Sequence, residues 1–183
     1  MKNILHKSFG QWILKLCMLL LCCLTILTLS MAPVHAQEQA FVTDNANLLD
    51  VEEENTLNKT CKELSQKHNV AICIITTSDY GSGDIKDWQR QYYQSHHLGM
   101  GEENSGIMLA ISMAGRDWGI VGFGNAQKAF TTYGRERIGE LIVEHLSDGD
   151  YYEAFSQYAS LADEFLVAAE EGEPYTSDHK YQE

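Results

Sequence analysis

The chain has 183 residues, and its 26 acidic residues outnumber the 13 basic ones, which gives a formal net charge of −13. All the acidic residues follow position 36, so residues 37–183 carry 26 acidic against 10 basic residues, a net charge of −16. This charge repels phosphate backbones and excludes a nucleic-acid partner, while a hydrophobic content of 44% excludes both a disordered chain and a multi-span membrane protein.

The first 36 residues have the order of a secretory signal peptide. A basic, acid-free start is followed by an apolar run over residues 16–29, and Val34 and Ala36 are the small residues of a cleavage site. We expect cleavage after Ala36; the alternative is that residues 1–36 remain as an uncleaved N-terminal anchor. Either outcome predicts an extracytoplasmic protein that is secreted or attached to the membrane through this segment alone.

The first half of the remaining chain alternates helical and strand patterns. Asp50 and Glu53 have the spacing of a capping box before a helix that ends near Lys67. The continuous apolar run over residues 70–76 is typical of a strand that is covered on both faces. Asp84 then begins a second predicted helix, which ends before Gly99.

Two more strands are predicted at residues 106–112 and 117–123, and the tight turn between them indicates an antiparallel hairpin. Helical patterns follow at residues 126–132, at 135–146 and from 151 to about 170. Strands alternating with helices, plus one hairpin, predict an α/β fold: a three-layer α/β/α sandwich around a mixed β-sheet. We place this domain at residues 37–170 and predict that the polar residues 171–183 form a disordered tail.

Cys61 and Cys73 are the two cysteines that follow the signal segment. Cys61 lies on the apolar stripe of the first helix, and Cys73 lies inside an apolar strand. Export permits a disulfide between them, but two buried free thiols suit the same positions, so both alternatives stay open. No CxxC pair supports a zinc or redox site.

Oxygen-bearing side chains stand in loops beside the predicted helices and strands. Asp44 precedes the first helix, Asp148 and Asp150 flank a glycine before the last helix, and Asn104 precedes the second strand. Oxygen ligands on loops suit Ca²⁺ or Mg²⁺, although the same residue types are also ordinary caps and turn formers. The sequence contains no HExxH, GxSxG or GxxxxGK[ST] motif, so these catalytic templates are excluded.

Six short segments, in this order, resemble the TPM domain family: FVTDNANLL at 41–49, VAICIIT at 70–76, LGMG at 98–101, NSGIML at 104–109, IVGFG at 120–124 preceded by Arg116, and DGDY at 148–151. The resemblance implies an exported α/β/α domain, and in some members cation binding by loops at one end of the sheet. It also implies either an accessory protein or an acid phosphatase, because the family includes relatives of both kinds.

The resemblance carries a candidate site onto this chain by position: Asp44, Asn104, Arg116, Gly122, Gly124 and Asp150. We add Asp148 to the metal-ligand candidates because it shares a turn with Asp150. Arg116 is a catalytic candidate only if the protein is a phosphatase, where it would stabilise charge on the phosphoryl group. The family's adjacent Asn-Gly is interrupted here by Ser105.

We expect an accessory protein at the cell envelope that binds Ca²⁺ or another divalent cation and acts on envelope or membrane proteins. One alternative is a metal-assisted hydrolase of the acid-phosphatase type. The other is a purely structural protein-interaction module. Enzymatic activity is thus left open, and a non-enzymatic role is favoured.

Overall fold

The computed structural model describes residues 40–182. The predicted signal segment and its cleavage site lie outside the described residues. The chain forms, in order, β1 (Val42–Asp44), α1 (Val51–His68), β2 (Ala71–Thr77), α2 (Ile85–Ser95), β3 (Gly106–Ser112), β4 (Asp117–Phe123), a 3-10 helix (Gly124–Lys128), α3 (Thr132–Asp148) and α4 (Tyr151–Glu170). None of the helices described in this range is long and apolar enough to cross a membrane.

The four strands form one mixed sheet in the order β1-β2-β3-β4. Strands β1, β2 and β3 are parallel, while β4 runs antiparallel to β3, with Gly106 opposite Phe123 and Ser112 opposite Asp117. The ends of β1, β2 and β3 and the start of β4 therefore lie on one edge of the sheet, the carboxyl edge. The opposite, amino edge is about 20 Å away, because β3 and β4 each have seven residues.

Helix α1 begins with the predicted capping box. The Asp50 carboxylate accepts hydrogen bonds from the backbone N–H groups of Glu52 and Glu53, and the Glu53 carboxylate accepts one from the Asp50 N–H. The helix ends at Asn69, which has a left-handed backbone with φ of 52°. Local polar residues thus determine both ends of this helix.

Helices cover both faces of the sheet, as the predicted sandwich requires. On β4, a Cβ at Gly119 would lie 2.6 Å from the side chain of Gln89 in α2. The neighbouring Trp118 points to the other face, where its ring lies against Gly139 of α3. Helix α4 packs against both α1 and α3 on that second face, and its Tyr158 hydroxyl donates to a β2 carbonyl. The described residues belong to one compact unit.

Cys61 of α1 and Cys73 of β2 are free thiols, and both side chains are buried in the core. Burial raises the pKa of the Cys61 thiol to about 12 and raises the pKa of the Cys73 thiol as well. Of the two alternatives left open by the sequence, the structure has the pair of buried thiols.

The segment that follows α4, for which we predicted a disordered tail, contacts the rest of the domain in the structure. The rings of Tyr175 and Tyr181 lie 4.7 and 5.4 Å from the ring of Phe165. The Thr131 hydroxyl also donates a hydrogen bond of 2.8 Å to the Tyr175 carbonyl. Two aromatic residues in an otherwise polar segment hold it against the domain, because each buries apolar ring surface.

Candidate functional site

A pocket of about 450 Å³ opens at the carboxyl edge of the sheet. We call it the carboxyl-edge pocket. It combines polar and apolar side chains from the end of β3, the start of β4 and the junction of α3 with α4: Ile111, Ser112, Met113, Arg116, Asp117, Trp118, Val143, Leu146, Ser147, Asp148, Gly149 and Tyr151. The pocket thus lies where ligands commonly bind in α/β sheets, beyond the carboxyl ends of the strands.

Two tight turns form the walls of this pocket. The β3–β4 turn is closed by a hydrogen bond from the Arg116 N–H to the Met113 carbonyl, and Arg116 has a left-handed backbone with φ of 47°. At the helix junction, Gly149 has φ of 85°, and its N–H donates to the His145 carbonyl, which ends α3. Both turns reverse the chain at the same edge, so Arg116 and Asp148 enter one pocket although 32 positions separate them.

Ser112 is the buried polar residue of the pocket. Its side chain is fully buried, and its hydroxyl has no hydrogen-bond partner within residues 40–182. Leaving a buried hydroxyl unpaired costs about 1–3 kcal/mol. The register pairs Ser112 with Asp117 and Ile111 with Trp118, so the Ser112 side chain lies on the α2 face of the sheet and its hydroxyl points away from Trp118 and the α3 side of the pocket.

The charged residues of the pocket fall into two groups. The Asp117 carboxylate is already bound: it accepts hydrogen bonds from the Tyr80 hydroxyl at 3.0 Å and from the Trp118 N–H at 2.9 Å. The hydrogen bond to Asp117 raises the pKa of Tyr80, and desolvation adds to the shift. Arg116 and Asp148 are exposed and form no ion pair within the described range, so one cation and one anion face a ligand freely.

Asp44 lies at the same edge but outside the pocket lining. One oxygen of its carboxylate accepts a short hydrogen bond from the Thr76 hydroxyl, and the other accepts a 2.8 Å hydrogen bond from the Leu49 N–H. The Thr76 hydroxyl in turn accepts from the Ala46 N–H. Asp44 therefore holds the loop that leaves β1. Asp150 is the N-cap residue of α4, but its exposed side chain forms no capping hydrogen bond.

Asn104, Gly122 and Gly124 lie at the amino edge, about 20 Å from the pocket, because the hairpin register places them near the start of β3. The Asn104 carbonyl accepts a hydrogen bond of 3.1 Å from the Tyr93 hydroxyl. Gly124 has φ of 56°, and a Cβ there would lie 2.4 Å from the Glu103 carbonyl oxygen. The structure therefore divides the site that the resemblance implied, and of these three residues Gly124 serves close backbone packing.

The carboxylates do not fit an assembled calcium centre. Among residues 40–182, no three His, Cys, Asp or Glu side chains lie close enough together to hold a metal ion. Both oxygens of Asp44 already accept hydrogen bonds, while Asp148 and Asp150 stand exposed in solvent. The donor type suits Ca²⁺, but the required convergence of ligands is missing.

Sequence reasoning missed the residues that give this pocket its character. Ser112 ends an apolar strand, and the one local signal at this position is a hydroxyl just before a turn. Met113 and Val143 are 37% and 38% exposed, which is unusual for large apolar side chains in this protein. Neither their exposure nor their proximity follows from their positions along the chain.

Comparisons with known proteins agree with this architecture. The sequence model of the TPM domain matches residues 42–165, which is more than half of the chain. The chain is 31% identical over 135 residues to the UPF0603 protein YdjH of Bacillus subtilis (strain 168), covering 73% of this chain and 51% of that protein. The chain thus spans about half the length of this curated relative.

Solved structures show the same fold at low sequence identity. The N-terminal domain of a protein from P. gingivalis has a TM-score of 0.61 at 19% identity and covers 81% of this chain and 90% of its own. The N-terminal domain of the cg2496 protein from Corynebacterium glutamicum has a TM-score of 0.57 at 16% identity, with coverages of 83% and 97%. With the α/β sandwich described and the family model matching most of its length, the chain belongs to the TPM domain family.

Proposed function

We propose that this TPM domain is an extracytoplasmic accessory module that binds a protein partner through the carboxyl-edge pocket. One observation carries the proposal: the pocket brings together Arg116 and Asp148, which form no ion pair within the described residues, and the exposed apolar side chains of Met113 and Val143. Such a site has binding groups that the fold itself does not use. The predicted signal segment supports the location outside the cytoplasm.

The apolar part of the pocket favours a protein ligand. Met113 and Val143, which are exposed, stand beside the half-buried ring of Trp118. A volume of about 450 Å³ lies within the range of small-ligand pockets and can accept one large side chain of a partner. An apolar anchor with a polar neighbour, paired to the free charges at the rim, is the usual composition of an interface hot spot.

Site-specific photocrosslinking in the native cell tests this proposal. A photoreactive residue is placed at Met113 or Val143, and at Val51 as the matched control, because Val51 is 77% exposed and does not line the pocket. We expect the two pocket positions to yield one crosslinked product of the same mass and Val51 to yield none. Arg116→Glu should reduce that product at least about fivefold. An equal product from Val51, or no product from either pocket position, would refute the proposal.

A phosphatase is the second candidate, and the position of Arg116 favours it. An exposed guanidinium in the pocket, with no ion pair within the described residues, can hold phosphoryl oxygens. The hydrolysis of p-nitrophenyl phosphate by purified protein measures this activity. If the pocket is catalytic, Arg116→Ala should lower turnover at least about tenfold, and Arg90→Ala, which removes an exposed arginine outside the pocket, should leave it unchanged. Equal turnover in both variants would exclude this pocket as the catalytic site.

Divalent-cation binding stays a prediction. The exposed carboxylates of Asp148 and Asp150 are suitable oxygen donors, but among the residues that the structure describes no third His, Cys, Asp or Glu joins them. This arrangement supports weak, solvent-exposed binding, for which the thermal melt described below is the direct test.

A further inference from the structure

β4 is the edge strand of the sheet, and within the described residues no strand pairs with its outer side. The Ala71 N–H of β2 donates a hydrogen bond of 2.9 Å to the carbonyl of Ser105, the odd-numbered residue just before β3. Because backbone groups alternate in direction along a strand, the odd-numbered residues of β3 turn their N–H and C=O groups toward β2. The even-numbered residues of β3 turn their backbone groups toward β4. The register places odd-numbered residues of β4 opposite them, so these pairs form the hydrogen bonds between the two strands. The backbone groups of Trp118, Ile120 and Gly122 therefore point away from the sheet. The Trp118 N–H agrees with this, since it donates to the side chain of its neighbour rather than to β3.

A groove runs along this outer edge. Two cavities of about 360 and 250 Å³ share Lys86, Ile120 and Arg135, so they lie side by side. We call them together the β4-edge groove. Helix α2 bounds the groove on one face of the sheet, and the start of α3 bounds it on the other.

The β4-edge groove is cationic in an otherwise acidic domain. Its lining carries Lys86, Arg90 and Arg135 against one acid, Glu136. Lys86 forms no ion pair within residues 40–182. Arg90 pairs with Asp87 at 2.8 Å, but both side chains are more than half exposed, so this pair is weak.

The third cation keeps its charge available to a ligand. Arg135 donates hydrogen bonds to the Phe130 carbonyl and the Thr132 hydroxyl, both uncharged. These bonds hold the guanidinium in place without neutralising it. Residues 37–183 carry a net charge of −16. A local excess of positive charge beside the strand edge therefore favours an anionic ligand in this groove.

The spacing of the cations matches an extended chain. Lys86 and Arg90 are one helical turn apart, a rise of about 6 Å along α2. Alternate residues of a β-strand, which share one face, are about 6.8 Å apart. We propose that the β4-edge groove binds an extended acidic peptide of a partner protein, which adds to β4 as a fifth strand and places acidic residues at alternate positions beside Lys86 and Arg90. This groove shares Trp118 with the carboxyl-edge pocket, but its cations do not line that pocket, and the proposal does not depend on the pocket's function.

A synthetic peptide tests the proposal on purified residues 37–183. The probe is a fluorescent, end-capped seven-residue peptide of alternating glutamate and valine, and its binding is followed by anisotropy and by amide NMR shifts. We expect the largest shifts at Ile120 and Gly122. Lys86→Glu should weaken binding at least about tenfold, whereas Lys59→Glu, the same change on an exposed lysine of α1, should alter it less than about twofold.

Two further probes separate strand addition from simple charge attraction. A peptide with glutamine in place of glutamate should bind at least about tenfold more weakly. A glutamate peptide that is N-methylated at alternate residues should also lose binding, because it cannot complete the ladder. The proposal is overturned if the N-methylated peptide binds equally well, or if Lys59→Glu weakens binding as much as Lys86→Glu does. It is also overturned if the glutamate peptide does not bind at all. In that last case the cations would serve to protect an exposed strand edge from pairing.

Discussion

His68 joins the end of α1 to α4 through both nitrogens of its ring. Nδ1 lies 2.7 Å from Glu170 Oε1, and Nε2 lies 2.6 Å from Asp163 Oδ1. Both distances are within hydrogen-bond range, so each ring nitrogen has a carboxylate oxygen as its partner. The His68 side chain is fully buried, whereas those of Asp163 and Glu170 are 28% and 56% exposed. The contact therefore joins the two helices through one buried ring and two partly exposed carboxylates.

Replacing His68 with alanine should lower the free energy of unfolding substantially. A hydrogen bond to a charged group contributes about 1.5–3 kcal/mol when buried. Both carboxylates are partly exposed, and Asp163 also pairs with Lys67 at 2.6 Å. For these reasons we expect the loss of each of the two His68 hydrogen bonds to cost about 1 kcal/mol. The space left by the ring adds about 1 kcal/mol. The free energy of unfolding should fall by about 2–3 kcal/mol, which lowers the Tm by about 8–12 °C at roughly 4 °C per kcal/mol.

Urea unfolding at pH 6 measures this change, and a double-mutant cycle isolates the contact. His68→Ala combined with Asp163→Ala should show a coupling of about 1 kcal/mol. Lys59→Ala is the control, because its 3.9 Å ion pair with Glu63 is largely exposed, and it should change stability by less than about 0.5 kcal/mol. A loss below 0.5 kcal/mol for His68→Ala, or a coupling near zero, would refute the reasoning.

The same contact has a defined pH dependence. Burial raises the pKa of Asp163, but hydrogen bonds from His68 and Lys67, together with their positive charges, lower it below its ordinary value of 3.8. A carboxylate with a lowered folded pKa stabilises the fold above its unfolded pKa, and this stability is lost as the pH falls through the folded pKa. The coupling should thus be present at pH 6 and shrink as the pH falls below about 4. A coupling that stays constant from pH 6 to pH 2.5 would contradict this.

Three other outcomes are expected. Gly139→Ala should lower the free energy of unfolding by about 1–3 kcal/mol in urea, because the added Cβ would lie 2.4 Å from a ring carbon of Trp118. Cys61 and Cys73 should resist a water-soluble thiol reagent in the folded domain and react in urea, because both are buried and burial raises the pKa of each thiol. Millimolar Ca²⁺ should raise the Tm by less than about 2 °C relative to EDTA, because a weak site half-filled at that concentration adds only about 0.4 kcal/mol.

Each of these measurements has a contrary result. Gly115→Ala is the matched control for the glycine change, since its Cβ would make an ordinary 3.6 Å contact, and an equal loss there would remove the steric explanation. Fast labelling of either thiol in the folded domain would show that the core opens readily. A Ca²⁺-specific rise of more than about 5 °C would establish an assembled cation site that the carboxylates, as described, do not form.

Local patterns were sufficient for most of the helices and strands. The capping box at Asp50 and the turn at Gly149 mark helix ends through hydrogen bonds within a few residues, so the sequence alone shows them. The unbroken apolar runs of β2 and β3 likewise predicted strands covered on both faces, and both strands are buried. Their hairpin partner, β4, was predicted as antiparallel, and the register confirms it.

Strand β1 and the tail had no such local signal. Three residues are too few for a periodic pattern, and β1 forms because it pairs with β2 and because Asn58 of α1 accepts hydrogen bonds from the Phe41 and Val42 N–H groups. Tyr175 and Tyr181 lie in a polar segment, and their order depends on contacts with Phe165. In both cases the stabilising partner is distant along the chain.

The candidate site most clearly separates what the sequence determined from what only the folded structure decided. Composition, alternating apolar runs and short motifs determined an acidic α/β domain of the TPM family. They could not show that Arg116 and Asp148 share a pocket with Ser112, or that Gly122 belongs to the opposite edge. Helix and strand patterns arise from neighbours within one or two turns of chain, whereas the convergence of side chains depends on strand order, direction and register. Only the long-range pairing of strands in the folded sheet sets their order, direction and register, and therefore which residues meet a ligand.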